Sequence, residues 1–151
     1  MRVDSSVGSS NPPDFKRLPP QHSSSLAVTQ LVAGELERAR GLARLGRMAE
    51  AEGVYCGILS RDARCAPAAA ALARLLTASA RAAEAEILIR PFTEGPEPWP
   101  EALSALAAAL KLLDRRVESL AIYRRVAELT PQSGVAAHNV ASGLGDAGYD
   151  R

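Results

Sequence analysis

The sequence predicts an all-α repeat fold, and three observations support the prediction. Hydrophobic residues make up 47% of the 151 residues but aromatic residues only 4%, so most of the apolar side chains are alanine and leucine, which favour helices over strands. Similar residues recur every thirty-four positions along the chain. Each repeating unit holds two stretches with helical spacing of apolar residues, separated by a polar or glycine-containing turn.

Five columns of residues keep the thirty-four-residue period. Two columns have four identical members, and three have members of similar size or apolar character. The columns are Leu42, Leu76, Leu110 and Leu144; Ala39, Ala73, Ala107 and Ala141; Tyr55, Ile89 and Tyr123; Ile58, Phe92 and Val126; and Ala51, Ala85 and Ser119. A period of this length is typical of stacked helix pairs, in which no unit buries its apolar face alone.

The predicted folded part begins at Leu26, with Ser25 in position to cap the first helix. Residues 1–25 are rich in serine and proline and lack the apolar groups that would offset the entropy of ordering, so they predict a disordered tail. Residues 26–151 form the predicted helical repeat domain, with units over about 32–65, 66–99 and 100–133 and a partial unit over 134–151. Gly46 supplies the turn of the first unit, because glycine adopts a left-handed backbone without strain.

The third unit shows the plan most clearly. Its predicted helices run from Glu101 to Leu112 and from Val117 to Leu129, with a polar turn over 114–116, and Pro131 stops the second helix.

The second unit departs from this plan. Pro91 predicts a short second helix, and the proline-rich segment 94–100 must be irregular. Trp99 in this segment has two interpretations. The favoured one is that it covers the apolar gap left by the short helix, and the alternative is an exposed aromatic anchor of a binding site.

Two sequence strings carry a resemblance to a known family: 42–51 in the first unit and 119–131 in the third. With the period and the size columns, they make the chain from about Val32 to Arg151 resemble the tetratricopeptide repeat (TPR) family, with three full repeats and the first helix of a fourth. The resemblance implies a TPR-like α-solenoid, a right-handed superhelical array of antiparallel helix pairs. It implies a non-catalytic scaffold that binds a peptide or partner protein in its concave groove.

The same resemblance leaves an alternative open. The pair His138-Asn139 is similar to a pair found in repeats that precede bacterial glycosyltransferase or sulfotransferase domains. The chain would then be the N-terminal TPR segment of a larger bacterial enzyme of that kind.

Carried over column by column, the resemblance places eleven residues on the groove. They are Leu36, Arg40, Arg44, Ala70, Arg74, Thr77, Ser104, Ala108, Lys111, His138 and Ser142. The N-terminal half of this groove is basic, which suits an acidic partner; the alternative interpretation is that these arginines are ordinary solvated side chains at repeat spacing. Family members that bind chaperone tails hold a terminal carboxylate with lysine and asparagine, and Leu36 stands where that clamp needs a cation, which argues against such a tail.

The last predicted helix has an open side. The sequence stops where the second helix of the fourth unit would follow, which leaves Val140, Ala141 and Leu144 without one packing partner. We therefore predict self-association through residues 134–151, or loosening of that segment.

Composition and charge exclude several classes of partner. A net charge of +1 and a pI of about 7.8 provide no field that would gather nucleic acid. No apolar run reaches the roughly 20 residues of a membrane span, and no secretory signal is present, so the chain is predicted to be cytoplasmic, with no membrane partner. The excess of arginine over lysine is typical of a GC-rich bacterial genome.

The sequence offers no convincing catalytic or cofactor site. Cys56 and Cys65 are too few for a disulfide scaffold and are not spaced as a zinc site, and two histidines are too few to support nucleophilic catalysis. The pattern Gly143-x-Gly145-x-x-Gly148 matches a dinucleotide-binding fingerprint, but that fingerprint requires a preceding strand, and these glycines fall late in a predicted helix. We therefore predict no enzyme, no cofactor and no metal.

Overall fold

Seven α-helices and one 3-10 turn make up the part of the chain that the computed structural model describes, residues 21–146 and 148. The helices are α1 (Gln21–Arg44), α2 (Met48–Arg61), α3 (Ala66–Ala78), α4 (Ala82–Ile89), α5 (Pro100–Leu112), α6 (Arg116–Leu129) and α7 (Gly134–Asp146), and the 3-10 turn (Arg90–Phe92) follows α4. This described part contains no strand. The prediction of an all-α fold is confirmed.

The helix starts repeat the thirty-four-residue period. The first helices of successive units, α3, α5 and α7, begin at Ala66, Pro100 and Gly134, and the second helices, α2, α4 and α6, begin at Met48, Ala82 and Arg116. Each helix packs mainly on its neighbours in the array: α3 contacts α2, α4 and α5, whereas α5 contacts α3, α4 and α6, and α6 contacts α7.

The first helix starts earlier than expected. It already runs from Gln21, so residues 21–25, which composition assigns to the tail, are helical, and Ser25 is not its N-cap. The rest of the predicted tail, residues 1–20, lies outside the described residues. By backbone contacts the chain divides after Glu35 into two compact bodies. Among the described residues, the first body contains the first part of α1, and the second body, Leu36–Arg151, contains the rest of α1 and the helices α2 to α7.

The turn that follows each first helix, α1, α3, α5 and α7, has a residue with a left-handed backbone. These residues lie thirty-four positions apart: Gly46 (φ 79°), Ala80 (φ 63°), Asp114 (φ 62°) and Gly148 (φ 81°). In the first three turns, the amide of the next residue donates a hydrogen bond to the carbonyl five residues earlier, with N···O distances of 2.9, 2.8 and 2.9 Å. This bond is part of the Schellman motif, which satisfies a carbonyl at the helix end and turns the chain into the next helix.

The residues of the repeating columns form the core. The small residues at the helix crossings, Ala39, Ala73, Ala107, Ala51, Ala85 and Ser119, are all buried. So are the large residues between them, Leu42, Leu76, Leu110, Tyr55, Ile89 and Tyr123. The pattern stops in α7, where Ala141 is exposed and Leu144 is half-buried. Within the described residues, one side of the last helix is therefore more exposed than the same side of α3 and α5.

The second unit ends its helix pair early, as predicted. α4 stops at Ile89 and is followed by a 3-10 turn that contains Pro91. The α-helix cannot continue through Pro91 because proline has no amide hydrogen to donate to the helical ladder. An irregular segment then leads to Pro100, where α5 resumes the register.

Candidate functional site

Three of the predicted groove residues meet in one cavity. Arg40 and Arg44 lie one turn apart on α1, and Arg74 occupies the Arg40 column on α3. All three line a cavity of about 400 Å³, hereafter the arginine cavity. The repeat period brings them together because neighbouring first helices pack side by side.

The rest of the arginine cavity is mostly apolar. Its remaining lining residues are Ala43, Met48, Tyr55, Ala71, Leu75 and Ala78. None of its lining residues is acidic. The arrangement combines a hydrophobic surface with three guanidinium groups, which can make apolar contacts and donate hydrogen bonds to an anionic group.

The three arginines differ in how far they are already paired. Arg40 forms an ion pair with Glu37, one turn earlier on α1. Arg44 and Arg74 form no ion pair within the described residues, and both are exposed. Burial raises the pKa of the Tyr55 phenol, and the positive charges of Arg40 and Arg74 act in the opposite direction. The cavity therefore keeps an unneutralised positive charge.

Other predicted groove residues of the first two units belong to the core. Leu36, Ala70 and Thr77 are buried, and the Thr77 hydroxyl donates a hydrogen bond of 2.7 Å to the carbonyl of Ala73 within its own helix. Their side chains are therefore occupied with helix packing and do not line the arginine cavity.

The predicted groove residues of the last two units also lie outside the arginine cavity. Lys111 pairs with Asp146, with Nζ and Oδ2 at 2.5 Å, and its Nζ lies 3.5 Å from the Ser142 hydroxyl. Its charge is therefore neutralised by the next unit. Ser104 and Ala108 are half-buried, and His138 is exposed on α7.

The sequence did not identify the apolar part of the cavity. Tyr55 and Met48 come from α2, whereas the resemblance assigned only first-helix residues to the groove. The Tyr55 column predicted a core position, and Tyr55 is indeed buried, but it also lines the cavity. A signal was available in the sequence: Tyr55 carries a polar hydroxyl in a column where the second unit has the fully apolar Ile89.

Five of the six glutamates of the second helices are paired with arginines: Glu50, Glu52, Glu84, Glu86 and Glu118. Three arginines stand immediately before α2, α4 and α6 and each binds the glutamate three residues later: Arg47 with Glu50, Arg81 with Glu84, and Arg115 with Glu118. These hydrogen bonds hold the pKa values of Glu84 and Glu118 below their ordinary value.

Two of these arginines also reach back to the preceding unit. Arg81 donates to Glu52 at 2.8 Å, and Arg115 donates to Glu86 at 2.7 Å. Because these five glutamates are paired with arginines at or beside the second helices, they do not offset the positive charge of Arg44 and Arg74 on the first helices.

The described residues give no indication of metal or cofactor chemistry. No group of three or more His, Cys, Asp or Glu side chains is placed to hold a metal ion within this part of the chain. Gly143 and Gly145 lie inside α7, and in the described residues no strand precedes them, so the dinucleotide fingerprint lacks its structural context. No described helix is long and apolar enough to cross a membrane.

Comparison with known proteins identifies the fold. No model of a protein family matches the chain, and no curated protein matches it. Among solved structures, it is similar to the NMR structure of the first TPR domain of the human RPAP3 protein, with a TM-score of 0.66 and 19% sequence identity over 76% of this chain and 91% of that one.

A second TPR domain of human RPAP3, solved by NMR in complex with the HSP70 peptide SGPTIEEVD, gives a TM-score of 0.63 and 17% identity over 77% of this chain and 97% of that one. The chain thus has a TPR-like α-solenoid fold, as predicted. Neither neighbour supports the alternative of an N-terminal segment of a larger enzyme.

Proposed function

We propose that this chain is a protein-interaction scaffold that holds an acidic segment of a partner protein in the arginine cavity. The observation that supports the proposal is the meeting of Arg40, Arg44 and Arg74 on an apolar surface with no acidic lining residue. Arg44 and Arg74, unpaired within the described residues, are the two groups available to a ligand carboxylate.

The second structural neighbour supports the kind of ligand. The peptide in that complex, SGPTIEEVD, contains two glutamates and one aspartate and no basic residue. At 17% identity the similarity concerns the fold, so the preference for acidic segments rests on the arginines of this chain.

The expected strength of binding follows from how far a ligand covers the arginines. An exposed ion pair contributes about 0.2 to 1 kcal/mol, and a charge-assisted hydrogen bond that the ligand shields from water contributes about 1.5 to 3 kcal/mol. If the ligand shields at least one of the two arginines, loss of both Arg44 and Arg74 should weaken binding at least tenfold, since about 1.4 kcal/mol corresponds to a factor of ten.

The experiment measures fluorescence anisotropy of three labelled peptides: SGPTIEEVD, a version with glutamine and asparagine in place of the acidic residues, and a version with lysine in their place. We expect the acidic peptide to bind most tightly and its affinity to fall as salt is added. The double variant Arg44→Ala plus Arg74→Ala should lose most of that affinity.

The matched control is Arg124→Ala plus Arg125→Ala, which removes two exposed arginines of α6 that do not line the cavity. It should bind like the unmodified chain. An amidated form of the acidic peptide should keep most of the affinity, because its three side-chain carboxylates remain available to Arg44 and Arg74. Equal affinities for the two double variants, or a preference for the lysine peptide, would disprove the proposal.

A further inference from the structure

A second cavity lies in the second unit, and it shares no lining residue with the arginine cavity. Its volume is about 730 Å³. The apolar part of its wall is formed mainly by Ile87, Leu88, Pro91, Phe92 and Trp99. We call it the aromatic cavity. It is the larger of the two and contains the only tryptophan of the chain.

The early end of α4 creates this cavity. In the first and third units the second helix continues to Arg61 and Leu129, and the residues Ile58 and Val126 are buried. Phe92 stands in the same column, but the 3-10 turn diverts it from the helical path, and it is only half-buried. The second unit has therefore replaced regular helix by a segment that exposes aromatic surface.

Two large apolar side chains of the cavity are exposed to solvent. Ile87 is 76% exposed and Trp99 is 47% exposed, whereas the residues in the Ile87 column of the other units are Gly53 and Ala121. The exposure follows from geometry, because three successive apolar residues, 87–89, span too wide an arc of a helix for all of them to face the core.

Ile87 and Leu88 also line a neighbouring depression of about 400 Å³, with Leu72 and Leu76 on its wall. The apolar surface therefore extends beyond one cavity. Contiguous exposed apolar surface of this kind marks binding sites, because keeping large side chains in water is unfavourable without a partner.

The charges around the cavity indicate what kind of partner fits. Glu94 and Glu97 line it, are exposed and form no ion pair within the described residues, while Arg64 is the one cation among the lining residues. In the same unit Glu84 and Glu86 are both paired with arginines. The carboxylates at the cavity are thus left for a positively charged group.

We propose that the aromatic cavity is a second docking surface, which receives an apolar side chain of a partner segment carrying lysine or arginine on both sides of it. This surface is independent of the proposed function of the arginine cavity and has the opposite charge preference. A segment that suits one cavity does not suit the other.

The experiment uses Trp99 as its own reporter, because no other tryptophan contributes to the emission. Three synthetic peptides without aromatic residues serve as probes: a pair of leucines flanked by lysines, the same pair flanked by glutamates, and the same pair flanked by serines. We expect a saturable change of Trp99 emission with the lysine peptide and an affinity about fivefold lower for the serine peptide, since exposed ion pairs are individually weak.

Two variants test the apolar and the charged part separately. Ile87→Ser should weaken binding of the lysine peptide, and the matched control Val117→Ser, which removes an apolar side chain that is 65% exposed on α6, should not. Glu94→Gln plus Glu97→Gln should remove the preference for lysine over serine. Circular dichroism will show whether each variant remains folded.

The outcomes separate this proposal from the one on the arginine cavity. Arg44→Ala plus Arg74→Ala should leave the response to the lysine peptide unchanged, whatever it does to acidic peptides. An emission that shows no saturable change up to about 1 mM peptide, or that responds equally to the glutamate peptide, overturns the proposal. So does a response to phosphatidylcholine vesicles without one to the peptide, which would assign the surface to lipid.

Discussion

The left-handed turn residues make a prediction that tests the turn geometry directly. Ala80 occupies a position where its column holds Gly46 in the first unit, and its φ of 63° is unfavourable for a residue with a Cβ atom. Such a backbone costs an alanine about 1 kcal/mol or more relative to a right-handed one. The side chain of Ala80 is exposed, so replacing it loses little packing.

We therefore expect Ala80→Gly to raise the free energy of unfolding by about 0.5 to 1 kcal/mol. The relief of strain exceeds this value, but glycine also gains conformational freedom in the unfolded chain, which offsets part of it. Asp114→Gly should act in the same direction with a smaller effect, because aspartate tolerates the left-handed region better than alanine does.

Two substitutions of identical chemistry provide the control. A Cβ atom added at Gly46 or at Gly53 would meet no atom within 4 Å, so neither Gly46→Ala nor Gly53→Ala creates a clash. Gly46 has a φ of 79°, and Gly46→Ala should lower the free energy of unfolding by about 1 kcal/mol. Gly53 lies inside α2, and Gly53→Ala should raise it by about 0.5 to 1 kcal/mol.

The assay is urea unfolding followed by far-ultraviolet circular dichroism, with the midpoint and the slope fitted for each variant. A change of midpoint at constant slope reports stability alone. If Gly46→Ala and Gly53→Ala shift the midpoint in the same direction, or Ala80→Gly lowers it, the turn backbone does not have the effect that we assign to it.

Three further predictions concern charge, packing and association. Partial burial raises the pKa of Glu86, but hydrogen bonds from Arg90 and Arg115 outweigh it and hold the pKa below its ordinary value of 4.5. The stability that the ionised Glu86 contributes is therefore complete above about pH 4.5 and is lost as the pH falls through the lowered pKa. Glu86→Gln should accordingly reduce the acid-side fall of the urea midpoint, and an unchanged pH profile would contradict this. Ser119 is buried where two helices cross, and its hydroxyl donates a hydrogen bond of 2.7 Å to the carbonyl of Ala107. In urea titrations Ser119→Leu should lower the free energy of unfolding by about 1 to 3 kcal/mol, whereas Ser119→Ala, which loses only this hydrogen bond, should lower it by about 0.5 to 1.5 kcal/mol. Ala141 stands exposed in a column that is buried in the other units, so light scattering should show association that rises with concentration and is abolished by Ala141→Lys; a strict monomer at high concentration would refute it.

The repeat period predicted the helices closely because close packing constrains the columns. Where two helices cross, only a small side chain fits, so alanine or serine recurs at a fixed spacing and marks the crossing in the sequence. The predicted helix from Val117 to Leu129 differs from α6 by one residue. The start of α1 was less predictable, since the serines before Leu26 are compatible with a cap as well as with a helix.

The arginine cavity was predictable in part. The Arg40 column placed Arg74 beside Arg40, and the structure brings both into one cavity. The sequence also placed Lys111 in the basic groove, whereas its charge is paired with Asp146 of the next unit. An ion pair between units depends on side-chain reach across the helix packing, and periodicity alone does not show it.

The aromatic cavity was not predicted, although its two causes, Pro91 and the successive apolar residues 87–89, are visible in the sequence. Pro91 correctly predicted the end of α4, but the favoured interpretation of Trp99 was that it covers the gap left by the short helix. Its ring is instead half-exposed and forms part of the cavity wall with Phe92. Proline fixes where a helix stops, but the direction in which the following segment leaves depends on packing that no local rule describes.

The charges of this chain separate into those that the repeat neutralises and those that it leaves free. Arg81 and Arg115 each bind a glutamate of their own unit and one of the preceding unit, so they hold neighbouring repeats together. Within the described residues, the positive charges left over at Arg44 and Arg74 and the negative charges left over at Glu94 and Glu97 line different cavities. Because the unpaired arginines line one cavity and the unpaired glutamates line the other, a single charged segment is attracted to one cavity and repelled by the other. The two proposals together predict that the chain connects two chemically different partners. We expect an acidic and a basic peptide to occupy the chain at the same time without competing.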